Sequence, residues 1–174
     1  MRIYDGSPRQ DFEEVLRSIG AFLDQRGMRE VLLVEAPDGF IVQGLVMEGG
    51  TTGTWSEAVG RQVKETLTFL DDDIARFMDE AVARRGAEAG APPDWSKSGY
   101  YEKSFRVLGR WMDGERPHDI FFFEQEGAFV VRLQKVGQAG AHHTLAEFTK
   151  DDIEAMITGA PQLRQEDAPE GGRP

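Results

Sequence analysis

Four groups of residues have types suited to chemistry, and each can be tested against the spacing that its chemistry needs. The stretch Glu48-Gly-Gly-Thr-Thr-Gly-Thr-Trp-Ser-Glu-Ala-Val-Gly60 gathers glycines that could bring backbone amides to an anion, and Trp55 adds a flat contact surface. It lacks the lysine and spacing of a P-loop and does not match a dinucleotide fingerprint. A long hairpin connection explains it without any ligand. As a binding loop, Gly49, Gly50, Thr51, Thr52 and Gly53 would carry a protein contact anchored by Trp55. Asp71-Asp72-Asp73, with Asp79 and Glu80, offers oxygen atoms to a hard cation such as Mg²⁺. Aspartates are equally expected at a helix start, where they accept orphan backbone N–H groups, and Asp151-Asp152 stands in the same register without such a cluster.

His142 and His143 are adjacent, so on a strand they point to opposite faces and cannot chelate one ion together. His118 is the third and last histidine. None of the serines sits in a Gly-x-Ser-x-Gly elbow or a Ser-x-x-Lys pair with a matching partner, and Ser96-Lys-Ser-Gly-Tyr-Tyr101 reads as the approach to a helix. The chain has no cysteine, which excludes a disulfide scaffold, a thiolate zinc site and a cysteine nucleophile. No catalytic residue, metal site or cofactor is therefore expected, and the pattern points away from an enzyme.

The elements that would position these groups come from an internal repeat. Residues 105–131 lie on residues 16–42 without a gap, at an offset of 89, with six identities: Arg17/Arg106, Gly20/Gly109, Asp24/Asp113, Glu35/Glu124, Phe40/Phe129 and Val42/Val131. Phe69-Leu-Asp-Asp-Asp-Ile74 matches Phe148-Thr-Lys-Asp-Asp-Ile153 at an offset of 79, so the first copy carries about ten extra residues around 48–60. Each copy opens on an apolar stripe of helical period: Phe12, Val15, Leu16, Ile19, Phe22 and Leu23, then Tyr101, Phe105, Leu108, Trp111 and Met112. Strands are predicted at 29–35, 39–47 and 62–69, and again at 118–124, 128–136 and 142–148. Closing helices carry Ile74, Phe77, Met78, Ala81 and Val82 in one copy and Ile153, Met156 and Ile157 in the other.

The expected fold class is α+β, a tandem duplication of an αβββα unit with pseudo-two-fold symmetry. It would be built as two three-stranded antiparallel sheets or one six-stranded sheet with flanking helices. The units are residues 1–88 and 99–158, joined by a small-residue linker at 89–98 and followed by a flexible tail at 159–174. Arg17, Glu35, Arg106 and Glu124 are read as structural pairs, an arginine bracing the first strand through its carboxylate, because an active site needs only one copy. Gly20 and Gly109, in mid-helix, are expected to permit close helix-to-strand approach. Val31-Leu-Leu-Val34 and Ile120-Phe-Phe-Phe123 are continuously apolar, the pattern of strands covered on both faces. The second cover would be the other unit, or a second subunit in a homodimer.

In its order of elements the αβββα unit resembles the small bacterial secretion-chaperone folds, which hold partner polypeptides, and the resemblance implies a protein-binding role. Net charge is −11, with 18 acidic against 10 basic side chains in residues 1–96 and 13 against 10 in residues 97–174. Such a surface repels phosphate backbones, so nucleic acid is a disfavoured partner and a protein with a basic surface a favoured one. No run of about 18 apolar residues exists to span a membrane, and nothing resembles a secretory signal. The expectation is a soluble, cytoplasmic, non-enzymatic protein-interaction module, an adaptor or small chaperone-like factor. The alternative is a small-molecule-binding protein or enzyme with a pocket between the two units, lined by His142, Arg132 or Asp71–Asp73.

Overall fold

The computed structural model describes residues 12–47, 62–77 and 99–160. In chain order these form α1 (Phe12–Arg26), β1 (Arg29–Ala36), β2 (Gly39–Met47), β3 (Gln62–Leu70), the helical segment α2 (71–77), α3 (Tyr100–Glu115), β4 (Asp119–Gln125), β5 (Ala128–Gly137), β6 (Gly140–Phe148) and α4 (Lys150–Gly159). The 48–60 insertion, Met78, Asp79, Glu80, Ala81 and Val82, the 89–98 linker and the tail from residue 161 lie outside the described residues.

Between the two sheet arrangements left open by the sequence, the chain adopts one six-stranded antiparallel sheet in the order β3-β2-β1-β4-β5-β6. Its two hairpin meanders join through a short central ladder, Leu32 opposite Phe123, Leu33 opposite Phe122 and Val34 opposite Phe121. Strand boundaries fall within a residue or two of the hydrophobic pattern. The Glu126-Gly127 turn has both residues at positive φ, 52° and 81°, matching the turn to the right-handed twist of a two-residue hairpin.

The four helices among the described residues gather over one face of this sheet. Val15, Leu16, Ile19 and Leu23 of α1 and Phe105, Leu108 and Met112 of α3 are fully buried against Val31, Leu33, Phe40, Val42, Phe122, Phe129 and Val131. Each such side chain contributes about 1.5–3 kcal/mol by leaving water. Off this centre, Phe77 of α2 meets Phe22 and Phe69 at ring separations of 5.2 and 5.9 Å, and Trp111 stands edge-on to Phe148 at 4.9 Å. The aspartates before the closing helices act as helix starts, as the sequence suggested. Asp152 closes a capping box with Thr149, and Asp73 accepts a long hydrogen bond of 3.4 Å from the Leu70 amide.

The other face departs from expectation. Val31 and Leu33 are buried, but Leu32, Val34, Phe121 and Phe123 alternate with buried neighbours and are only half-buried. Among the described residues no helix or second sheet covers them. The continuous apolar runs thus mark a sheet with one face under helices and one open apolar face.

Candidate functional site

The geometry begins at the seam between α1 and α3. Asp24, in the last turn of α1, accepts hydrogen bonds from the amides of Tyr101 and Glu102 at 2.9 Å each. Asp113, near the end of α3, accepts from the amides of Phe12 and Glu13 at 2.9 and 3.1 Å. Each helix therefore caps the other, which fixes them antiparallel and satisfies two orphan donors apiece. Gly20 and Gly109 mark the crossing: a Cβ built on Gly20 would lie 2.4 Å from the Tyr101 carbonyl oxygen, and one on Gly109 2.3 Å from that of Phe12. The close approach is helix to helix, which corrects the expected helix-to-strand contact.

Arg17 and Arg106 belong to the same seam. Arg17, wholly buried, reaches Glu102 of α3 at 3.1 Å and Glu14 at 3.0 Å, while Arg106 approaches Glu13 of α1 at 3.3 Å. The arginines thus brace helix to helix, where the sequence suggested helix to strand. Glu35 and Glu124 extend the central ladder at its two ends: Glu35 accepts the Ile120 amide at 3.1 Å, and Glu124 accepts that of Val31.

One place breaks this reciprocity. At the offset of 89, Tyr101 stands where Phe12 stands, and its hydroxyl donates to Glu124 Oε2 at 2.5 Å. The β1–β2 register shifts between Arg29 and Leu32, where Glu30 adopts φ 50°, and this bulge turns the Glu30 amide onto the Tyr101 oxygen. The β4–β5 register has no such shift. Tyr101 and Glu124 line an open cleft of about 620 Å³ together with Asp24, Glu30, Tyr100 and Lys150. It lies between the two halves of the chain, as the alternative reading required. His142, Arg132 and Asp71–Asp73, the residues named for it, are not among its walls.

Burial pushes the Glu124 and Asp24 carboxyls above their ordinary range, against the amide hydrogen bonds that favour their ionised forms. Burial first, and then the Glu124 hydrogen bond, push the Tyr101 hydroxyl up as well. A group raised on folding contributes stability that is complete below its unfolded value and lost as pH rises through the folded one. Stability is therefore expected to fall as pH climbs above about 10, the ordinary tyrosine value. In an alkaline titration of the phenolate absorbance, Tyr101→Phe should remove the last tyrosine to ionise. A Tyr101→Phe titration curve that keeps its latest step would contradict the assignment.

Asp24, Tyr101 and Glu124, the buried ionisable groups of the cleft, are already engaged by the fold. Asp24 is a helix cap, and Glu124 holds a strand amide and a phenol. Among the described residues no group of three or more His, Asp or Glu side chains could hold a metal ion. Asp73 pairs with Arg76, and His142 and His143 stand opposite Lys135 and Gln134 on exposed β6. Gly49, Gly50, Thr51, Thr52, Gly53 and Trp55 lie outside the described residues.

The open sheet face is the larger surface. Its registers align two rows across all six strands, Thr66-Gln43-Leu32-Phe123-Val130-Glu147 and Thr68-Ile41-Val34-Phe121-Arg132-Leu145. The middle is apolar and aromatic, with Phe121 and Phe123 at 6.1 Å and the Arg132 guanidinium 5.3 Å above the Phe121 ring. The margins are polar apart from Leu145 at the outer end of the second row. No helix among the described residues is long and apolar enough to cross a membrane. No protein-family model, curated protein or solved structure matches this chain.

Proposed function

We propose that this chain is a non-enzymatic protein-interaction module, an adaptor or small chaperone-like factor of the cytoplasm, whose docking surface is the open sheet face. The observation that carries the reading is the apolar centre Leu32, Val34, Phe121, Phe123 and Val130 inside a polar margin of Gln43, Thr66, Arg132 and Glu147. That arrangement matches the anatomy of specific interfaces, in which a desolvated aromatic centre supplies affinity and the rim supplies register. The partner is another protein. The net charge of −11 favours one with basic groups, through its approach more than its final grip.

The same reading takes the chain as an internal duplication with pseudo-two-fold symmetry about the β1–β4 ladder. Its support is that the repeated polar residues make mirrored contacts to the opposite half: Asp24 to Tyr101 and Asp113 to Phe12, Arg17 to Glu102 and Arg106 to Glu13, Glu35 to Ile120 and Glu124 to Val31. A fold that places two copies in one sheet concentrates four strands' worth of apolar residues at its middle.

The test is capture of a partner from extract of the source cells by the full chain, at low salt. The wild type should hold a stoichiometric protein, and Phe121→Glu or Val34→Glu should weaken it by about 2 kcal/mol or more, roughly thirtyfold. Half-exposed positions tolerate the change, so the variants should keep the wild-type circular dichroism. Recovery of no partner, or of one that both variants hold equally well, sinks the proposal.

A second reading, a small-molecule site or enzyme in the cleft, is favoured by the Tyr101–Glu124 pair and its raised carboxyl. Against it, every group with perturbed ionisation there has a structural hydrogen bond.

A further inference from the structure

The sheet ends in two edge strands that differ in how they are protected. Edges expose unpaired backbone groups, and proteins blunt them with lysines, prolines or bulges. β3 carries Lys64 and Glu65 in mid-strand, and Arg26 reaches across to Glu65 at 2.7 Å. β6, Gly140-Ala-His-His-Thr-Leu-Ala-Glu-Phe148, has neither lysine nor proline. Its pairing with β5 runs over nine consecutive pairs with no shift in register, so it is also free of bulges. Leu145, in the middle of β6 and opposite Arg132, is 73% exposed. By the rules that govern edges, β6 is built to accept a strand.

Its sequence says which strand. Read outward from Leu145, the two directions of β6 complement each other: Thr144 and Ala146 are both small, His143 and Glu147 are a hydrogen-bond donor and a carboxylate, and His142 and Phe148 are both aromatic. An antiparallel pair of β6 strands related by a two-fold axis through Leu145 places every one of these directly opposite its complement. Two-fold pairing also keeps faces continuous, because residues of the same parity meet: His143, Leu145 and Glu147 on the open face, His142, Thr144, Ala146 and Phe148 on the helix face.

We propose that β6 is a dimerisation edge that takes the β6 strand of a second copy of this chain, with Leu145 opposite Leu145 and His143 opposite Glu147 on both sides of the axis. The product is a continuous twelve-stranded sheet, twice the six strands of one chain, whose two open faces lie on the same side. The two His–Glu contacts, each a ring N–H opposite a carboxylate acceptor, are the polar complementarity that favours self-pairing over pairing with an unrelated strand. The inference does not rest on a partner binding the open face.

The absence of cysteine makes the test clean. Directly opposite residues of an antiparallel pair have Cβ atoms about 4.5–5.5 Å apart, within the reach of a disulfide after a small adjustment. The full chain with Leu145→Cys should therefore form a covalent dimer under mild oxidant, and the chain with Thr144→Cys should not, because its opposite is Ala146. By sedimentation equilibrium across the micromolar range, the wild type should be a dimer. Leu145→Lys, which sets two ammonium groups face to face, should raise its dissociation constant at least tenfold. Glu147→Lys should weaken it similarly, and His143→Glu added to that variant should restore it.

A monomeric wild type overturns the proposal. So does a dimer indifferent to Leu145→Lys, which would use another surface. Self-crosslinking of Thr144→Cys in place of Leu145→Cys overturns the register. Leu145 is exposed within one chain, so at concentrations low enough to leave both proteins monomeric Leu145→Lys is expected to keep the wild-type unfolding midpoint, while only the wild-type midpoint rises as concentration climbs. A midpoint lowered in the monomer would contradict the geometry on which the proposal stands.

Discussion

Adding one methyl group at position 20 is expected to cost about 2 kcal/mol, although the same change in an isolated helix would be favourable. Alanine in place of a mid-helix glycine gains about 1 kcal/mol from backbone entropy alone. At Gly20 a new Cβ would stand 2.4 Å from the Tyr101 carbonyl oxygen, 2.6 Å from its carbon and 2.9 Å from the Glu102 nitrogen. All three are backbone atoms in the first turn of α3, so no side-chain rotation relieves the overlap. The helices must part, and parting them stretches the Asp24 and Asp113 caps that hold the two ends. Overpacking costs about 1–3 kcal/mol and loss of a cap about 1 kcal/mol, which together exceed the propensity gain. Gly109→Ala meets Phe12 in the same way and should behave alike. The double variant should lose less than the sum, because a single separation accommodates both methyls. The midpoint of urea unfolding reads all three, and a Gly20→Ala chain as stable as wild type would show that the seam is looser than these distances.

That pair of glycines also shows where sequence reasoning reached and where it stopped. Periodicity located the strands and the helices, because each element buries one face and the period of that face is local information. The repeat singled out Gly20/Gly109, Asp24/Asp113 and Arg17/Arg106 as positions with a shared reason. Their partners were not legible, since a cap supplied from another helix leaves no local signature. The Asp24 and Asp113 carboxylates each serve amides about eighty to a hundred residues away. Whether six strands make one sheet or two was equally closed to pattern, because the central β1–β4 ladder involves only three pairs and every residue in it is apolar either way.

A pocket between the units was expected, but the residues that line the cleft were missed for a subtler reason. Its chemistry rests on a single hydroxyl, Tyr101 where Phe12 stands at the offset of 89, a difference that scores as similarity in any comparison of apolar stripes. The signal was present as an asymmetry of one atom between the two aligned segments. For the open face the signal was read, and of the two covers expected the other unit is excluded because both units share one sheet. Continuous apolar strands require a second cover, and a six-stranded sheet with its helices all on one side leaves that cover to be supplied from elsewhere.

Removal of Arg17 should be the most damaging single change in the seam, with Arg17→Leu losing about 3–5 kcal/mol. Its side chain is fully buried and forks between Glu14, at 3.0 and 3.3 Å, and Glu102 at 3.1 Å, with Ser18 Oγ a further acceptor at 3.3 Å. Leucine fills much of the volume, so the cost is mainly electrostatic: two carboxylates, 18% and 16% exposed, would face each other across the seam with the cation gone. Arg17→Lys should recover only part, because a compact ammonium cannot span both carboxylates in the fork geometry. Adding Glu102→Gln to Arg17→Leu should regain stability, since a buried charge pair removed as a unit costs far less than one broken in half. Arg106, whose approach to Glu13 is longer at 3.3 Å and whose basicity burial lowers, should lose less on the same change to leucine. Equal losses at the two arginines would mean that the repeat, and not the local distances, sets their energies. A neutral Arg17→Leu would mean that Glu14 and Glu102 can turn out to water, in which case the seam is held by its glycine contact and its caps alone.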